Sequence, residues 1–393
     1  AEVAPAPGVR VVMDVRALQE PARAPRTAAY LEGLLGAFDA DPRPGESFAF
    51  LLASDEEDPT TRFERLDVIG RRLLPPTRLL RSAALTVDPF VLRGASVGAA
   101  WRAERQGADG AVYHAAGGGL PIGSWLPTVV TLLDLAPWEL AEAFQRGFAA
   151  RFGQRLRARL LRDAAAVLVG TEAVARDARR WLHVRRNRLR VVPLAARPAY
   201  AVGPAGLAGR AAEARAATER LGLGDRYLVV FGRHDVRQDT ATMAAALMAL
   251  GRSTRPADLA ADAAWPPRVL VIDATPDDRA ALARIAARHG GADHLVYAPI
   301  LPVEATAAVV AASRGVILPV VSEASGLTAL DALAAGVPVI ASAVGALPEI
   351  VGTAGILVEP RDPERLAVAI AAIWGDAPVR ERLVEAAAAR GTA

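Results

Sequence analysis

Two carboxylates eight positions apart are the side chains of this sequence best suited to chemistry. Glu323 precedes Gly326, and Asp331 lies in a run of small residues that ends at Gly336. A strand, a glycine-bearing loop, a helix and a second strand are typical of a nucleotide-binding α/β unit. The spacing predicts that Glu323 lies in the loop and Asp331 about two turns into the helix. Two carboxylates at different depths of one pocket could hold two hydroxyl-bearing parts of one ligand.

Alternating strand and helix patterns along the chain must position these carboxylates. In the first half we expect strands at 9–14, 48–53, 111–114, 128–133, 167–169 and 189–193. In the second half we expect strands at 227–231, 269–272, 295–297, 316–318, 337–341 and 356–358. Helices are expected between the strands, among them 27–38, 145–163, 172–182 and 240–250. This alternation predicts parallel sheets that are covered by helices on both faces.

A stretch at 199–217, rich in Ala, Gly and Pro, separates the two alternating blocks. We interpret its first part as a linker and its second part as a helix. The predicted domains are therefore 1–200 and 201–375, followed by a helical tail at 376–393. The predicted fold class is α/β, with two doubly wound Rossmann-like domains that face each other across a cleft. Ligands in such sheets bind at the carboxyl ends of the strands.

Composition excludes several classes of protein. The 393 residues, 52% hydrophobic and 23% charged, describe a globular chain with room for two cores. The absence of cysteine excludes disulfides and thiolate metal sites. No apolar run reaches the ~20 residues of a membrane span, and the first residues lack a signal-peptide pattern, so we predict a cytoplasmic protein.

All 46 basic residues are arginine, so an individual arginine is weak evidence for a site. The densest cluster, Arg151 to Arg162, contains one aromatic residue, Phe152, and we therefore predict no nucleic-acid partner. This basic amphipathic helix has two interpretations. It is either a solvated face or a peripheral contact with anionic lipid at the inner membrane face.

Six segments, taken in order, resemble one enzyme family. They are VVTLLDLAP (129–137), AAAVLVGTEAVARDARRWL (164–182), LRVVPLAARPAY (189–200), VVFGRHDVRQD (229–239), HLVYAPILP (294–302) and the stretch at 319–360. Together they resemble the retaining group 1 glycosyltransferases of family 4, which have the GT-B fold. The resemblance covers nearly the whole chain.

The resemblance implies a reaction. A sugar would pass from a UDP-, GDP- or ADP-linked donor, held mainly by the C-terminal domain, to a hydroxyl of a glycan, lipid or small-molecule acceptor. The acceptor would be held mainly by the N-terminal domain. The anomeric configuration would be retained, and no metal or cofactor would be required. The site must then neutralise a diphosphate leaving group and orient the sugar.

The resemblance also assigns the acidic motif. Glu323 matches the carboxylate that faces donor-sugar hydroxyls and is the predicted catalytic residue. Gly326 and the adjacent Leu327 are assigned to the donor site, where a residue without Cβ lets the backbone approach the ligand. Asp331 stands where a glutamate usually holds the ribose. An ordinary helix-surface acid is the other interpretation of Asp331.

Gly232 and Arg233 match the strand end where the family often places a diphosphate-binding arginine. The lysine that usually completes this pair is replaced by Gln238. Arg237 is assigned to the donor site as a neighbour that could compensate, although it would point elsewhere if the chain were helical there.

The first block departs further from the family pattern. Leu133 replaces a histidine that contacts the donor sugar. Arg26 and Ala28 replace the glycines of an N-terminal loop, where their side chains would narrow the space beside donor and acceptor, while Tyr30 is expected to serve packing.

Three further features of the sequence carry expectations. His114 and the glycines Gly117 to Gly119 are either an acceptor-side loop or a flexible turn. Thr171 is expected to cap a helix, and Glu349 to be mainly structural.

Three functions remain open. The first is an active retaining glycosyltransferase. The second is a catalytically degenerate homologue that serves as a scaffold or partner subunit and binds another protein, which the departures at Leu133, Gln238, Arg26, Ala28 and Asp331 favour. The third, a two-domain sugar-nucleotide epimerase, fits the acidic motif less well.

Overall fold

The computed structural model describes residues 9–391 apart from 77–83, 106–109, 118, 202–205, 207–210, 225, 257–258 and 260–262. The chain divides into two compact units, 1–193 and 194–393. Among the described residues, no helix combines the length and the hydropathy needed to cross a bilayer.

The first unit is built on seven parallel strands. They are β1 (Val9–Asp14), β2 (Ser47–Ala53), β3 (Val68–Leu74), β4 (Gly110–Ala116), β5 (Thr128–Thr131), β6 (Ala166–Val169) and β7 (Leu189–Val191). Their order across the sheet is β3-β2-β1-β4-β5-β6-β7. The helices are α1 (Arg16–Gln19), α2 (Pro25–Ala40), α3 (Ala84–Arg105), α4 (Ala136–Glu139), α5 (Ala141–Phe144), α6 (Phe148–Asp163) and α7 (Glu172–Leu182), with 3₁₀ turns at Pro59–Arg62 and Arg186–Arg188.

The second unit is built on six parallel strands. They are β8 (Leu228–Phe231), β9 (Val269–Ile272), β10 (Leu295–Tyr297), β11 (Val316–Leu318), β12 (Val339–Ser342) and β13 (Gly355–Val358), in the order β10-β9-β8-β11-β12-β13. The helices are α8 (Ala211–Glu219), α9 (Thr240–Arg252), α10 (Pro276–His289), α11 (Val303–Ala311), α12 (Leu327–Ala334), α13 (Leu347–Val351), α14 (Pro363–Gly375) and α15 (Ala377–Gly391), with a 3₁₀ turn at Ala292–His294.

Each sheet reverses its strand order beside its first strand. The reversal lies between β1 and β4 in the first unit and between β8 and β11 in the second. Because all strands are parallel, the loops that follow these strand pairs open at the same edge of their sheet, which is where α/β sheets bind ligands.

The sequence patterns predict most of these elements, and the α/β fold class with two doubly wound sheets is confirmed. The strand predicted at 337–341 begins two residues later, at Val339. The helix predicted in the second part of 199–217 is α8, whereas most of the predicted linker, 202–205 and 207–210, lies outside the described residues.

Two long elements, β3 and α3, were missed, each for a physical reason. β3 is an edge strand that exposes Ile69, Arg71 and Leu73, so it lacks the apolar run of a buried strand. α3 has little amphipathic periodicity and contains Pro89, which removes a backbone donor from its interior.

The last helix is attached to the second unit by packing and by an arginine that caps the end of another helix. α15 packs against α12 and α14 and buries Ala387. Arg390 on α15 donates to the carbonyls of Ile350 and Glu349 at the end of α13. The tail predicted at 376–393 is therefore helical and packs against the second unit over its described part.

Candidate functional site

The loops after β8 and β11 lie against each other at the reversal point of the second sheet. The Asp239 amide donates to the Pro319 carbonyl (2.7 Å), and the Val321 amide donates to the Arg237 carbonyl (2.8 Å). Gln238 forms an isolated antiparallel bridge with Val320. These bonds bring the arginine-bearing segment 232–239 beside the carboxylate-bearing segment 319–326.

Glu323 lies in the loop, as predicted, and its carboxylate organises that loop. Its Oε1 accepts from the Ser325 amide (3.0 Å), the Ser325 hydroxyl (2.7 Å) and the Gly326 amide (3.0 Å). Its carbonyl accepts from the Ala346 amide (2.9 Å). Gly345 comes so close that a Cβ there would lie 1.9 Å from the Glu323 carbonyl oxygen. A role of Glu323 toward sugar hydroxyls stays a prediction.

Gly326 is required by the fold itself. Its φ is +64°, in the left-handed region that favours glycine, and a Cβ would lie 2.2 Å from Cδ1 of Ile350. Leu327 follows as the first residue of α12 and is buried. The close packing of α13 explains this glycine without any ligand, and the assignment of Gly326 and Leu327 to a donor site stays a prediction.

Asp331 lies slightly more than one turn into α12, because that helix begins at Leu327; the predicted depth of two turns is wrong. The interpretation as a helix-surface acid is also wrong, since Asp331 is only 1% exposed. Its Oδ1 accepts from the Arg197 amide (2.8 Å), and its Oδ2 accepts from Arg197 Nε (2.8 Å). The Arg197 guanidinium also lies 4.8 Å from the ring centroid of Tyr200.

This pair is a buried ion pair. Burial raises the pKa of the Asp331 carboxyl, and the charge and hydrogen bonds of Arg197 oppose that rise. Burial lowers the pKa of Arg197, but the Asp331 charge raises it above its usual value. Sequence reasoning missed Arg197 because 134 positions separate it from its partner.

Arg233 follows Gly232 and faces an acid on α10. A Cβ at Gly232 would lie 2.3 Å from Cγ1 of Val271, so close packing of β9 requires this glycine. Arg233 Nη1 lies 3.9 Å from Asp278 Oδ2, and the side chain is 28% exposed. The same Asp278 accepts from Thr275 at the start of α10.

Asp278 is primarily a helix cap. Its Oδ2 accepts from the Thr275 amide (3.0 Å) and hydroxyl (2.7 Å), and its Oδ1 from the His234 amide (3.0 Å). Burial raises the pKa of Asp278, but these hydrogen bonds and the Arg233 charge more than reverse the rise, so its pKa lies below the usual value. The carboxylate that faces Arg233 is thus held by its own helix.

Arg237 lies in a turn rather than a helix. Its amide donates to Asp235 Oδ1 (2.8 Å), and its Nη1 donates to Asp235 Oδ2 (2.7 Å). Gln238 precedes α9 and pairs with Val320. The predicted compensation of Gln238 by Arg237 would therefore require Arg237 to share its guanidinium with Asp235.

The reversal point of the first sheet contains a cavity of about 470 Å³. Charged side chains and small apolar residues line it, including Asp14, Arg16, Glu20, Thr27, Asp88, Gly117, Gly119, Leu120, Arg157 and Leu160. No sequence pattern described above predicted this cavity. The available signal was Asp14 at the end of β1, the position where a sheet of this topology presents side chains to a ligand.

Arg16 joins two acids in this cavity. Its Nε and Nη2 donate to the two oxygens of Asp14 (2.8 and 2.7 Å), and its Nη1 and Nη2 donate to the two oxygens of Asp88 (2.7 and 2.9 Å). Burial lowers the pKa of Arg16, but the two carboxylates raise it well above its usual value. A Cβ on Gly119 would lie 2.4 Å from Asp88 Oδ2, so the glycine loop closes over this cluster.

His114 belongs to a buried polar chain inside the first sheet. It is 8% exposed and lies within β4, which confirms its place in the strand predicted at 111–114, and it belongs to neither an acceptor-side loop nor a flexible turn. Its Nε2 lies 2.9 Å from Thr131 Oγ1, which in turn lies 2.9 Å from the Tyr30 hydroxyl. Burial lowers the pKa of His114 to about 4. Tyr30 thus makes a hydrogen bond in addition to the expected packing.

The glycines after β4 have a different position. Gly117 has a φ of +66° and, like Gly119, lines the cavity, whereas Gly118 lies outside the described residues. Their assignment to an acceptor-side loop stays a prediction.

Two of the three departures in the first unit, Leu133 and Ala28, are packing residues. Leu133 is 2% exposed, and a Cβ on Gly117 would lie 3.0 Å from its Cδ1. Ala28 belongs to the core with Leu31 and Leu35, so the prediction that its side chain narrows a ligand site is wrong. Arg26 is the second residue of α2 and half-buried.

Two structural expectations concern helix ends. The Thr171 hydroxyl accepts from the Val174 amide (3.2 Å), which confirms the cap. Glu349 is exposed on α13, where its carbonyl accepts from Arg390.

Among the described residues, no group of three or more His, Asp or Glu side chains could hold a metal ion. Metal-independent transfer stays a prediction.

Comparison with known proteins places a family domain on the second unit. Residues 225–376 match the family model for Glycosyl transferases group 1. A D-inositol 3-phosphate glycosyltransferase from Geodermatophilus obscurus is 41% identical over 111 residues, which are 28% of this chain and 24% of that protein. The chain thus matches about a quarter of the length of this relative.

Similarity to solved structures extends over the whole fold. Sucrose-phosphate synthase from Thermosynechococcus elongatus superposes with a TM-score of 0.67 at 20% identity, over 98% of this chain and 94% of that one. HepE from Anabaena, solved in complex with UDP and glucose, superposes with a TM-score of 0.65 at 15% identity and the same coverage. The predicted GT-B class of fold is confirmed.

Proposed function

We propose that the protein is a retaining glycosyltransferase that moves a sugar from a nucleoside-diphosphate sugar to an acceptor hydroxyl. The proposal rests on one observation: the segment that matches the glycosyl transferase family model also contains the two loops that meet at the reversal point of the second sheet. The group 1 glycosyl transferase match covers 225–376, and within it the loops of Arg233 and Glu323 meet at the reversal point of the sheet. UDP is the first donor nucleotide to test, since HepE binds it.

The leaving diphosphate needs positive groups. Arg233 offers a planar guanidinium that can bridge two phosphate oxygens. The N-terminal end of α12, reached through Gly326, adds the positive end of a helix dipole. Glu323 would hold the donor sugar through its carboxylate, whose Oε1 also fixes the loop. No metal or cofactor is required in this scheme.

The ribose position needs a rearrangement. Both oxygens of Asp331 accept from Arg197, and Asp331 is only 1% exposed, so ribose hydroxyls would reach this carboxylate when the Arg197 side chain moves aside. Donor binding would then displace that side chain from Asp331.

The same observation supports a second candidate, a catalytically degenerate homologue that acts as a scaffold or partner subunit. In that case the ion pair between Arg197 and Asp331 is never broken, and it takes the place of a contact between Asp331 and a ribose. Leu133 and Gln238, which lack the polar or charged group of the family pattern, agree with this reading.

The acceptor would bind the first unit in the cavity of Asp14, Arg16 and Asp88. Carboxylates can accept from hydroxyls of a glycan or of a polar lipid headgroup, and Leu120 and Leu160 offer apolar contact. We propose that the reaction takes place in the cytoplasm.

Thermal shift assays with UDP, GDP and ADP, alone and with candidate sugars, test the proposal. The active enzyme predicts stabilisation by one nucleotide. The absence of any shift at millimolar concentrations would overturn it and leave the scaffold candidate.

A Glu323→Gln variant then tests the mechanism. The amide oxygen can still accept from Ser325 and Gly326, so the loop keeps its bonds while the charge is lost. We expect loss of transfer with little change in nucleotide affinity. Unchanged turnover would remove Glu323 from the mechanism.

A further inference from the structure

Positive charge is concentrated in one part of the first unit. Residues 146–190 contain thirteen arginines and three acidic residues, Asp163, Glu172 and Asp177, a formal charge of +10. Because the whole chain carries +3, all other residues together carry −7. Such an asymmetry points to an anionic partner for this region rather than for the protein as a whole.

α6 presents part of this charge on one side. Residues exposed at intervals of three and four along the helix form what we term the arginine face: Phe148, Arg151, Phe152, Arg155, Arg159 and Arg162. The opposite side of α6 buries Gly153, Gln154 and Leu161 against the unit. The helix is therefore anchored by one side, and the arginine face is directed to solvent.

Two aromatic rings stand at the beginning of this face. Phe148 is 80% exposed and Phe152 49%, and their rings stack with centroids 6.4 Å apart. The arginines follow toward the other end of the helix. Apolar rings combined with bases on one helix face are the pattern of a helix that lies in a membrane interface, with rings below the headgroups and guanidinium groups among the phosphates.

The C-terminal end of α6 continues into a basic groove of about 540 Å³. Its lining residues are Arg159, Arg162, Asp163, His183, Arg185 and Arg188. Asp163 is the single acid among them, and its Oδ2 lies 3.9 Å from Arg159 Nε. Arg188 Nη1 donates to three carbonyls at the end of α6, which fixes that wall of the groove. The charge of this groove suits a phosphate-bearing headgroup.

We propose that the arginine face and the basic groove bind the surface of an anionic phospholipid bilayer. Phe148 and Phe152 enter the headgroup layer, and the arginines contact lipid phosphates. This inference is independent of sugar transfer, because it uses none of the residues assigned to donor or acceptor.

Vesicle flotation with the full chain tests the charge. We expect binding to phosphatidylcholine vesicles that contain phosphatidylglycerol, and weakening as salt is raised. The double change Arg151→Gln and Arg155→Gln should lower the partition coefficient about thirtyfold, roughly fivefold for each base. The matched control, Arg284→Gln with Arg288→Gln on α10, removes the same charge from exposed positions elsewhere and should bind like the wild type.

The rings are tested in the same assay. Phe148→Ser with Phe152→Ser should reduce binding, whereas Trp125→Ser, which alters an aromatic side chain that is 69% exposed, should not. All these positions are exposed, and circular dichroism checks that the variants fold. Equal binding to pure phosphatidylcholine, or an equal loss in either control, would overturn the proposal. So would tight binding of a single-stranded RNA by a protein that ignores the anionic vesicles, since that result would assign the surface to nucleic acid.

Discussion

In each sheet, the first strand is followed by an arginine whose side chain lies near an acidic side chain. The two arginines differ in how closely those acidic side chains bind them. After β1, Arg16 makes four side-chain hydrogen bonds of 2.7 to 2.9 Å to Asp14 and Asp88. After β8, Arg233 lies 3.9 Å from one oxygen of Asp278. The topology is the same, but the chemistry at its reversal point is not.

The acids explain the difference. Each of the two carboxylates that face Arg16 receives two guanidinium hydrogen bonds, so the arginine is what compensates their charge. Asp278 is held by Thr275 and His234 and keeps its place as a helix cap without Arg233. The comparison indicates that Arg16 is a structural clamp in the wall of a cavity, whereas for Arg233 we propose that a phosphate can compete with Asp278.

Removing the Arg16 side chain should give the largest loss of stability. Arg16→Met removes the guanidinium that Asp14 and Asp88 share at a mostly buried site, and we expect a loss toward the upper end of roughly 3–5 kcal/mol in the free energy of unfolding. Urea denaturation at neutral pH measures it. The exposed pair of Arg365 and Asp362 provides the control, because Arg365→Met should cost less than about 1 kcal/mol. Equal losses in both variants would contradict the clamp.

The Arg197–Asp331 pair should behave as a second clamp, within the unit that carries Arg233. Asp331→Ala leaves Arg197 without its carboxylate and should cost about 3 kcal/mol, the lower end of the range, since Arg197 is 22% exposed and can turn to water. The double variant Arg197→Met, Asp331→Leu should recover part of that loss in urea denaturation. A double variant no more stable than Asp331→Ala would show that the two residues are not coupled.

Acid should weaken the first unit through His114. The folded-state pKa of about 4 lies below the ordinary value of 6.5, so the unfolded chain binds the proton more readily between these values. The stability linked to His114 is complete above about pH 6.5 and is lost as the pH falls toward 4, by about 2–3 kcal/mol. The corresponding strand of the second sheet, β11, is apolar and fully buried.

His114→Gln keeps a hydrogen-bonding group beside Thr131 but cannot titrate. Thermal denaturation across this pH range should therefore show a flatter dependence for the variant than for the wild type. Parallel curves would mean that His114 does not carry the linkage.

The smallest effect on stability is expected at Arg233. Arg233→Ala should change the free energy of unfolding by less than about 1 kcal/mol, because Asp278 retains its bonds to Thr275 and His234. Urea denaturation beside Arg16→Met gives the contrast directly. A loss as large as that of Arg16 would remove the distinction between the two arginines.

Residue patterns predicted an element well where neighbouring residues determine its ends and its buried side. α7 begins and ends at the predicted residues, since Thr171 caps its start and the apolar period runs unbroken to Leu182. β3 and α3 were missed because an edge strand and a helix with an internal proline lack that period.

The site was predicted less well, because its contacts are not local. Glu323 was placed correctly in its loop, but the burial of Asp331 depends on Arg197, which no spacing rule connects to it. The Arg16–Asp88 bonds join residues 72 positions apart. Such pairings follow from the packing of the sheet edge, which a residue pattern does not specify.

Calorimetric titration of UDP into the wild type, Arg233→Ala and the surface control Arg365→Ala measures whether Arg233 binds the diphosphate of a donor nucleotide. We expect the wild type and the control to bind with the same affinity. Arg233→Ala should bind at least tenfold more weakly, at nearly unchanged stability, because a charged hydrogen bond contributes about 1.5–3 kcal/mol. Equal affinity in all three proteins, or no binding by the wild type, would contradict it.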